Sequence, residues 1–380
     1  MFCFQGHDIH TIDDEELPHC ITALVCHNNP LTRITRHAFN ESANTLHAID
    51  IQNHQLTLLP PALKDVISAT SITFNHGNIT RIPKVGKILP NLQYLDLSFN
   101  RIDSLVNMSI FDTAPKLYQI ELDHNSISDI TPLFAMQGTY RLNVESNNIC
   151  DISPPTTNVS NSLANSLLYL FMKGNCLSHV PDLTFMPILQ VMEVSHNNIT
   201  NSAKDTFPPS LILLYLNVNS LRWIPRSISD LGELRTLNLT MNKIQRLDTF
   251  VIPSSLQHLY VAHNNIKTIP SISVFNDSSA LSTLDISGNP ITSIDALAFS
   301  QLTRLQSLYM SSTSITRLPL AILQLTSLRY LNMEHNTQLA CTCTEKALSP
   351  FAKQLVILNG KCVGGSDIRY FLNVLAKQCP

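Results

Sequence analysis

Apolar residues along the chain recur in one frame of about 24 positions. In "LPNLQYLDLSFNRIDSL", residues 89–105, leucines stand at 92, 95 and 97, and Asn100 and Ile102 follow. The alternation at 95 and 97 predicts a short strand with one buried face. The asparagine position recurs at Asn29, His54, Gly77, Asn100, Asn125, Asn147, Asn175, Asn197, Asn219, Asn242, Asn264, Asn289, Thr313 and Asn336. From Asn29 to Asn336 the step averages roughly 23.6 residues.

This period predicts a chain of stacked turns. Strands one turn apart must run parallel, and each turn buries its apolar edge against its neighbours. An amide buried where the chain turns inward has two donors and one acceptor, so it can satisfy backbone groups of its own turn and of the adjacent turn. We therefore expect a hydrogen-bonded asparagine ladder with departures at His54, Gly77 and Thr313.

The fold class that follows is an α/β solenoid. Parallel strands are expected on a concave face, with short helical, 3₁₀ or extended returns on the convex face. We expect a repeat domain at 1–338, of about 14–15 turns with an incomplete first turn, and a cysteine-rich cap at 339–380. The start, "MFCFQGHDIHTI", fits the middle of a turn and lacks the pattern of a signal peptide, so upstream sequence is expected.

Composition narrows the class of partner. The 380-residue chain has a formal net charge of −3 and only 14% charged residues, which argues against a nucleic-acid or polybasic membrane surface. No apolar run approaches the roughly 18 residues that a membrane span needs.

Four of the nine cysteines follow the last turn. Cys341, Cys343, Cys362 and Cys379 lie where the final apolar edge would otherwise face water. Disulfides are favoured over a zinc site, because the paired C-x₂-C spacing is absent, and free thiols stay an alternative.

The other cysteines lie among the turns. Cys26 occupies an inward strand position and is interpreted as a core thiol. Cys150 and Cys176 follow successive ladder positions; they could pair, but the unpaired state is favoured. The pairing of Cys3 and Cys20 stays open.

With its repeat frame and terminal cysteines, the chain resembles the extracellular leucine-rich-repeat family with a cysteine-rich C-terminal flanking cap. The resemblance implies the pairs Cys341–Cys362 and Cys343–Cys379, and partner binding, adhesion or signalling without chemistry. Disulfides imply an oxidising compartment, hence a secreted protein or a receptor ectodomain. The alternatives are a cytoplasmic scaffold that docks a regulatory protein, and the ligand-binding part of a receptor kinase whose catalytic domain lies outside this chain.

Glycosylation signals are too frequent to discriminate between these alternatives. The candidate acceptors are Asn40, Asn78, Asn107, Asn158, Asn198 and Asn276. Asn238 also fits the motif, but a sugar there would stand on the expected binding face. About six such motifs are expected by chance from the composition, so they carry little weight.

The residue pattern does not favour catalysis or metal binding. No nucleophile-elbow, phosphate-loop or H-E-x-x-H motif occurs in the sequence. Five histidines precede ladder positions two or three turns apart, too far from one another to share a metal, and are interpreted as solvated rim residues. We expect no enzymatic activity, no cofactor and no metal.

The sharper hypothesis concerns the residue between the two strand leucines, which should project from the concave face. Tyrosine there offers a large contact area with a polar tip, although it also suits strands for structural reasons. The candidate ligand-binding residues are Tyr118, Tyr140, Phe171, Glu193, Tyr215, Tyr260, Asp285 and Tyr309. A protein or glycan ligand is expected.

Acidic residues in the N-terminal half could receive a basic partner, but solvation explains them equally well. The sequence specifies neither the ligand nor the oligomeric state.

Overall fold

The computed structural model describes residues 2–14, 16–82, 89–106, 114–152, 162–201, 205–247, 251–271 and 280–379. The chain forms two compact units, the N-terminal unit Met1–Asn197 and the C-terminal unit Asn198–Pro380. Each unit consists of the same kind of turn, in which a short strand leads into a buried ladder residue and then into an extended or 3₁₀ return.

In the described part of the N-terminal unit, nine strands pair in parallel with sequential neighbours. These are β1 (Phe2–Gln5), β3 (Ala23–His27), β5 (Ala48–Gln52), β6 (Ser71–Asn75), β7 (Tyr94–Asp96), β8 (Gln119–Glu121), β9 (Arg141–Asn143), β10 (Tyr169–Phe171) and β11 (Val191–Glu193). A second parallel pair, β2 (Thr11–Ile12) and β4 (Arg33–Ile34), lies on the return side. The 3₁₀ segments are Asn40–Ser42, Pro61–Asp65, Thr131–Ala135 and Leu163–Asn165.

The C-terminal unit continues the pattern with seven parallel strands within its described residues. They are β12 (Leu213–Tyr215), β13 (Thr236–Asn238), β14 (His258–Tyr260), β16 (Thr283–Asp285), β18 (Ser307–Tyr309), β19 (Tyr330–Asn332) and β20 (Ile357–Asn359). Two-residue strands β15 (Thr268–Ile269) and β17 (Ser293–Ile294) pair on the return side. The 3₁₀ segments are Arg226–Asp230, Leu320–Gln324, Cys343–Leu348 and Leu375–Gln378, and the helices are α1 (Ser349–Gln354) and α2 (Ile368–Asn373).

In most turns a buried asparagine amide joins the turn to its neighbours, as the sequence predicts. The Asn100 Nδ2 group donates to the carbonyl oxygens of Phe74 in the preceding turn and of Leu97 and Ser98 in its own turn, at 2.7–3.1 Å. Its Oδ1 accepts the backbone N–H of Ile79 at 3.0 Å. Because one side chain satisfies four backbone groups that water cannot reach, removing it would leave those groups unpaired.

The residue before each ladder position adopts a left-handed backbone conformation. The non-glycine residues there have φ between +51° and +59°, and they are Asn28, Asn53, His76, Phe99, His124, Ser146, His196, Val218, Met241, His263, Ser312 and His335. Such a conformation costs about 1–2 kcal/mol for a residue with a Cβ atom. The ladder hydrogen bonds that follow offset this cost, so the sharp turn forms without glycine.

The two consecutive departures from asparagine form one matched pair. His54 is buried, its Nδ1 accepts the backbone N–H of Leu56 at 3.1 Å, and burial lowers its pKa to about 4. Its ring fills the space beside Gly77, where an added Cβ would lie 2.0 Å from the His54 Cε1 atom. Gly77 is therefore required by the size of the imidazole. At the third departure, Thr313 donates its hydroxyl to Asn336 Oδ1 at 2.8 Å.

Two disulfides tie the C-terminal segment together. Cys341 bonds to Cys362 and Cys343 bonds to Cys379, which are the pairs that the family resemblance implies. The buried carboxylate of Glu345 caps the first turn of the Cys343–Leu348 segment by accepting from the backbone N–H of Thr342 at 2.8 Å. The boundary at 338/339 stays a prediction.

The interpretation that Cys150 and Cys176 stay unpaired is wrong. They form a disulfide with a Cα–Cα distance of 4.4 Å. Cys150 lies three residues after its ladder asparagine, whereas Cys176 lies only one residue after its own. The two cysteines therefore occupy different positions in the repeat, and the repeat alone does not align them. The backbone N–H of Cys176 donates to the Ile149 carbonyl at 3.0 Å, which brings the two thiols together. Cys26 is a buried free thiol, as predicted.

The predicted fold class is therefore confirmed: both units are made of leucine-lined turns with parallel strands and short 3₁₀ or extended returns. Strand residues at the middle position, such as Leu214, Leu237 and Leu259, are fully buried. Their neighbours on either side project from the opposite side of the sheet, which we call the strand face.

The matched pair can be tested with a double-mutant cycle. Gly77→Ala is expected to lower the free energy of unfolding by about 1–3 kcal/mol, because the new methyl group overlaps the His54 ring. In a His54→Asn background the same change should be neutral or slightly stabilising, since alanine reduces the freedom of the unfolded chain. Urea unfolding of the four proteins gives the coupling energy. An equal cost in both backgrounds would contradict the pairing.

Candidate functional site

Tyrosines alternate with polar residues along the strand face of the C-terminal unit. The register pairs Tyr215 with Asn238, Asn238 with Tyr260, Tyr260 with Asp285, and Asp285 with Tyr309. We call Tyr215, Tyr260 and Tyr309 the tyrosine ridge. Each is partly exposed on every second turn, with Tyr309 at 36%.

The polar residues of this column have a local structural role. Asn238 Oδ1 accepts the backbone N–H of Thr240 at 3.0 Å, and Asp285 Oδ1 accepts that of Ser287 at 2.9 Å. Both side chains close the turn at the end of their own strand. Asp285, a predicted contact residue, is thus engaged in folding, whereas the tyrosines present their rings to the solvent side of the sheet.

The ridge hydroxyl groups influence one another. Burial raises the pKa of Tyr260, and Tyr309, Asp285 and Tyr215 raise it further. The phenol of Tyr260 is therefore neutral at physiological pH and available both to donate and to accept a hydrogen bond. An aromatic surface with polar tips is typical of protein-binding hot spots.

In the N-terminal unit the predicted aromatic residues contact one another. The rings of Tyr118 and Tyr140 stack with centroids 5.2 Å apart, and Tyr169 meets Tyr140 edge-on at 6.1 Å. The Arg141 guanidinium carbon lies 4.3 Å from the centroid of the Phe171 ring. Sequence reasoning missed Arg141, although the register that aligns β9 with β10 places it beside these rings.

Several carboxylates also lie on this strand face. Glu121 Oε1 accepts from Arg141 Nε at 3.2 Å, and Asp50 lies 2.8 Å from His27 Nε2. Burial raises the pKa values of Asp123, Glu145 and Glu193. Repulsion from the Glu193 carboxylate raises the pKa of Glu145 further.

Glu193, another predicted contact residue, also accepts the backbone N–H of Ser195 at 3.0 Å. It therefore closes its own strand, as Asp285 does in the C-terminal unit. Among the eight candidates, Glu193 and Asp285 thus accept a backbone N–H group of their own turn.

A second aromatic feature lies along the edge of the same face. The ring of Phe99 lies between the rings of His76 and His124, with centroids 4.3 and 4.0 Å away and planes within 9° of parallel. Asp123 contacts His124 Nδ1 at 2.9 Å. All three rings occupy the left-handed position of successive turns, so aligning that position along the repeats would have revealed the stack.

The candidate glycosylation sites differ in exposure. Asn40 and Asn198 are exposed, and Asn78 is half-buried. Asn107, Asn158 and Asn276 lie outside the described residues.

No group of three or more metal-ligating side chains occurs among the described residues. No helix in the described ranges is long and apolar enough to cross a membrane.

Comparisons with known proteins agree with this architecture. Family models described as leucine-rich repeats match residues 187–244, 279–337, 254–299 and 89–104. Osteomodulin of Bos taurus is 29% identical over 246 residues, covering 64% of this chain and 46% of that protein. Keratocan of Danio rerio is 28% identical over 232 residues, covering 58% and 64%. The chain thus spans roughly half the length of the curated relatives it matches.

Among solved structures, a leucine-rich-repeat protein of Leptospira interrogans superposes with a TM-score of 0.68 at 22% identity, covering 87% of this chain and 82% of that one. The repeats, the solenoid fold and the terminal disulfides define the class. The chain has the leucine-rich-repeat solenoid fold, with two disulfides in its C-terminal segment. It is also similar in sequence to lumican of Mus musculus, at 28% identity over 179 residues.

The half-buried carboxylates of Glu145 and Glu193 predict a pH-dependent stability. Glu145→Gln and Glu193→Gln are each expected to raise the free energy of unfolding at pH 7. Both carboxyls have pKa values raised by folding, so the folded state holds the proton more tightly and ionisation costs stability as pH rises above the ordinary value near 4.5. Urea unfolding at pH 7 and pH 3.5 measures the gain, which should vanish at the lower pH, where both states are protonated.

Asp50→Asn is the matched control for this experiment. Its carboxylate faces His27 and accepts from Gln52 Nε2 at 2.9 Å, so its replacement should give no gain at pH 7. A gain of equal size at both pH values in the glutamine variants would contradict the electrostatic explanation.

Proposed function

We propose that the protein is a secreted or cell-surface recognition module whose strand face binds a protein partner, with the tyrosine ridge as the main contact. The observation that carries the proposal is the repetition of a partly exposed tyrosine on three alternate turns. The polar residues between them are used in folding. The ridge therefore exposes aromatic contact area on the strand face.

Three disulfides support the oxidising compartment. Cys150–Cys176, Cys341–Cys362 and Cys343–Cys379 are the bonded pairs among the described residues. Disulfides persist in secreted and surface proteins and are rare in reducing compartments, which weighs against the cytoplasmic scaffold. The relatives osteomodulin, keratocan and lumican support the same assignment.

A protein ligand is also consistent with complexes of the same fold. The plant peptide hormone receptor RGFR1 has been solved in complex with RGF2, and its chain superposes with a TM-score of 0.56 at 20% identity. For the present chain we propose contact through the ridge in the C-terminal unit and through the cluster of Tyr118, Tyr140 and Phe171 in the N-terminal unit. The carboxylates beside that cluster favour a partner with basic residues.

The ridge is tested by the triple variant Tyr215→Ala/Tyr260→Ala/Tyr309→Ala. A partner is first captured from extracellular medium with the wild-type chain, identified and purified. The variant is expected to bind this partner roughly thirtyfold to several hundredfold more weakly, because hot-spot aromatic residues contribute about 2 kcal/mol or more and are not additive. Surface plasmon resonance gives the affinities.

Two controls make the result interpretable. Circular dichroism and thermal unfolding must show that the variant is folded. Tyr370→Ala removes a tyrosine that is 53% exposed in α2, away from the strand face, and should leave the affinity within twofold. Unchanged affinity in the folded triple variant would remove the ridge from the contact surface.

A further inference from the structure

The small net charge of the chain conceals two units of opposite charge. Up to Asn197, the sequence has ten lysines and arginines and eighteen aspartates and glutamates, a formal charge of −8. From Asn198 onward it has fifteen basic and ten acidic residues, a formal charge of +5. The small total charge therefore does not exclude an anionic ligand for the C-terminal unit.

Part of this positive charge lies in a groove on the C-terminal unit. It lies just past the asparagine ladder, on the side opposite to the start of the strands, and has a volume of about 700 Å³. We call it the basic groove, and its lining residues are Gln245, Arg246, Leu247, Asn265, Lys267, Thr268, Pro270 and Pro290. Leu247 is buried and forms the floor, while the polar lining side chains are exposed. No carboxylate occurs in this lining; Asp248 lies outside the described residues.

Two further basic residues lie beside the groove, on the groove turn and on the turn before it. The backbone N–H of Lys243 donates to Leu221, and that of Gln245 donates to Arg222, at 2.8 and 3.3 Å. Lys243 and Arg222 therefore lie on the groove turn and on the turn before it, with strands about 4.8 Å apart. Arg222, Lys243 and Lys267 are all exposed and follow one another over three successive turns.

The only tryptophan of the chain stands at the end of this row. Trp223 is 46% exposed and occupies the same place in its turn that Arg246 occupies in the next. Asn201 holds the backbone here: its Oδ1 accepts the N–H groups of Arg222 and Trp223 at 2.6 and 3.1 Å, and its Nδ2 donates to the Trp223 carbonyl at 2.8 Å. The aromatic ring is thus presented to solvent from a fixed segment.

We propose that the basic groove, extended by Lys243, Arg222 and Trp223, binds an acidic polysaccharide. The ammonium and guanidinium groups would pair with its sulfate or carboxylate groups. Gln245, Asn265 and Thr268 can donate to and accept from sugar hydroxyls. The indole supplies a flat apolar surface for a sugar ring. A linear polymer fits a row of cations that advances one turn at a time, and this surface is separate from the tyrosine ridge.

The test uses an immobilised heparin oligosaccharide as a sulfated probe, in roughly 0.15 M salt. The variant Arg222→Gln/Lys243→Gln/Lys267→Gln is expected to bind the probe about tenfold or more weakly, and with a shallower dependence on salt, because fewer counterions are released. The variant Arg304→Gln/Lys353→Gln/Lys377→Gln changes the charge equally at exposed positions outside the groove, and should lose less than twofold. Equal losses in both variants would overturn the site.

Trp223→Ala separates sugar recognition from charge alone. It should weaken oligosaccharide binding severalfold without changing the salt dependence, because no charge is removed. A desulfated oligosaccharide of the same length keeps its carboxylates but loses its sulfates, so it should compete much more weakly. If a single-stranded DNA of equal charge competes as well as the heparin oligosaccharide, and Trp223→Ala has no effect, the groove binds polyanions without selecting sugars and the proposal is wrong.

Discussion

A buried asparagine amide, present in most turns, is the interaction on which the rest of this structure depends. Its donors and acceptor satisfy backbone groups of two adjacent turns, as Asn100 does for Phe74, Leu97, Ser98 and Ile79. Because the contacts span neighbouring turns, every turn inherits its register from the one before. The left-handed residue before the amide and the outward residues of the strand then occupy equivalent positions in each turn, so a feature that appears once is repeated in a row.

Because equivalent positions of successive turns lie side by side, similar residues at one position form a continuous surface. Outward strand positions give the tyrosine ridge and the aromatic cluster around Tyr140, the left-handed positions give the Phe99 stack, and the positions after the ladder give the basic groove. These rows differ in chemistry, although one set of hydrogen bonds supports them all. A repeat module can therefore carry more than one kind of binding surface without changing its core.

The periodicity of the sequence was sufficient to predict the ladder, the parallel strands and the alternation of Tyr215, Tyr260 and Tyr309, because each depends on one position within the turn. Contacts between different positions of neighbouring turns could not be obtained in this way. The Cys150–Cys176 disulfide joins a residue three positions after one ladder asparagine to a residue one position after the next. Similarly, the His54 ring fills the space beside Gly77, which lies in the next turn. The hydrogen bonds of Glu193 and Asp285 to the backbone of their own turns could not be predicted either, because nothing in the spacing of these residues distinguishes a folding role from a binding role.

The central claim is that the ladder residues support folding, whereas the partly exposed ridge residues form a surface, and hydrogen–deuterium exchange tests this claim most directly. Leu221 donates its backbone N–H to Asn242 Oδ1 at 3.0 Å. Asn242→Ala is predicted to increase exchange at Leu221 and in the adjoining turns, whereas Tyr260→Ala should leave these amides as protected as in the wild type. Protection that survives Asn242→Ala, or that is lost with Tyr260→Ala, would contradict the account.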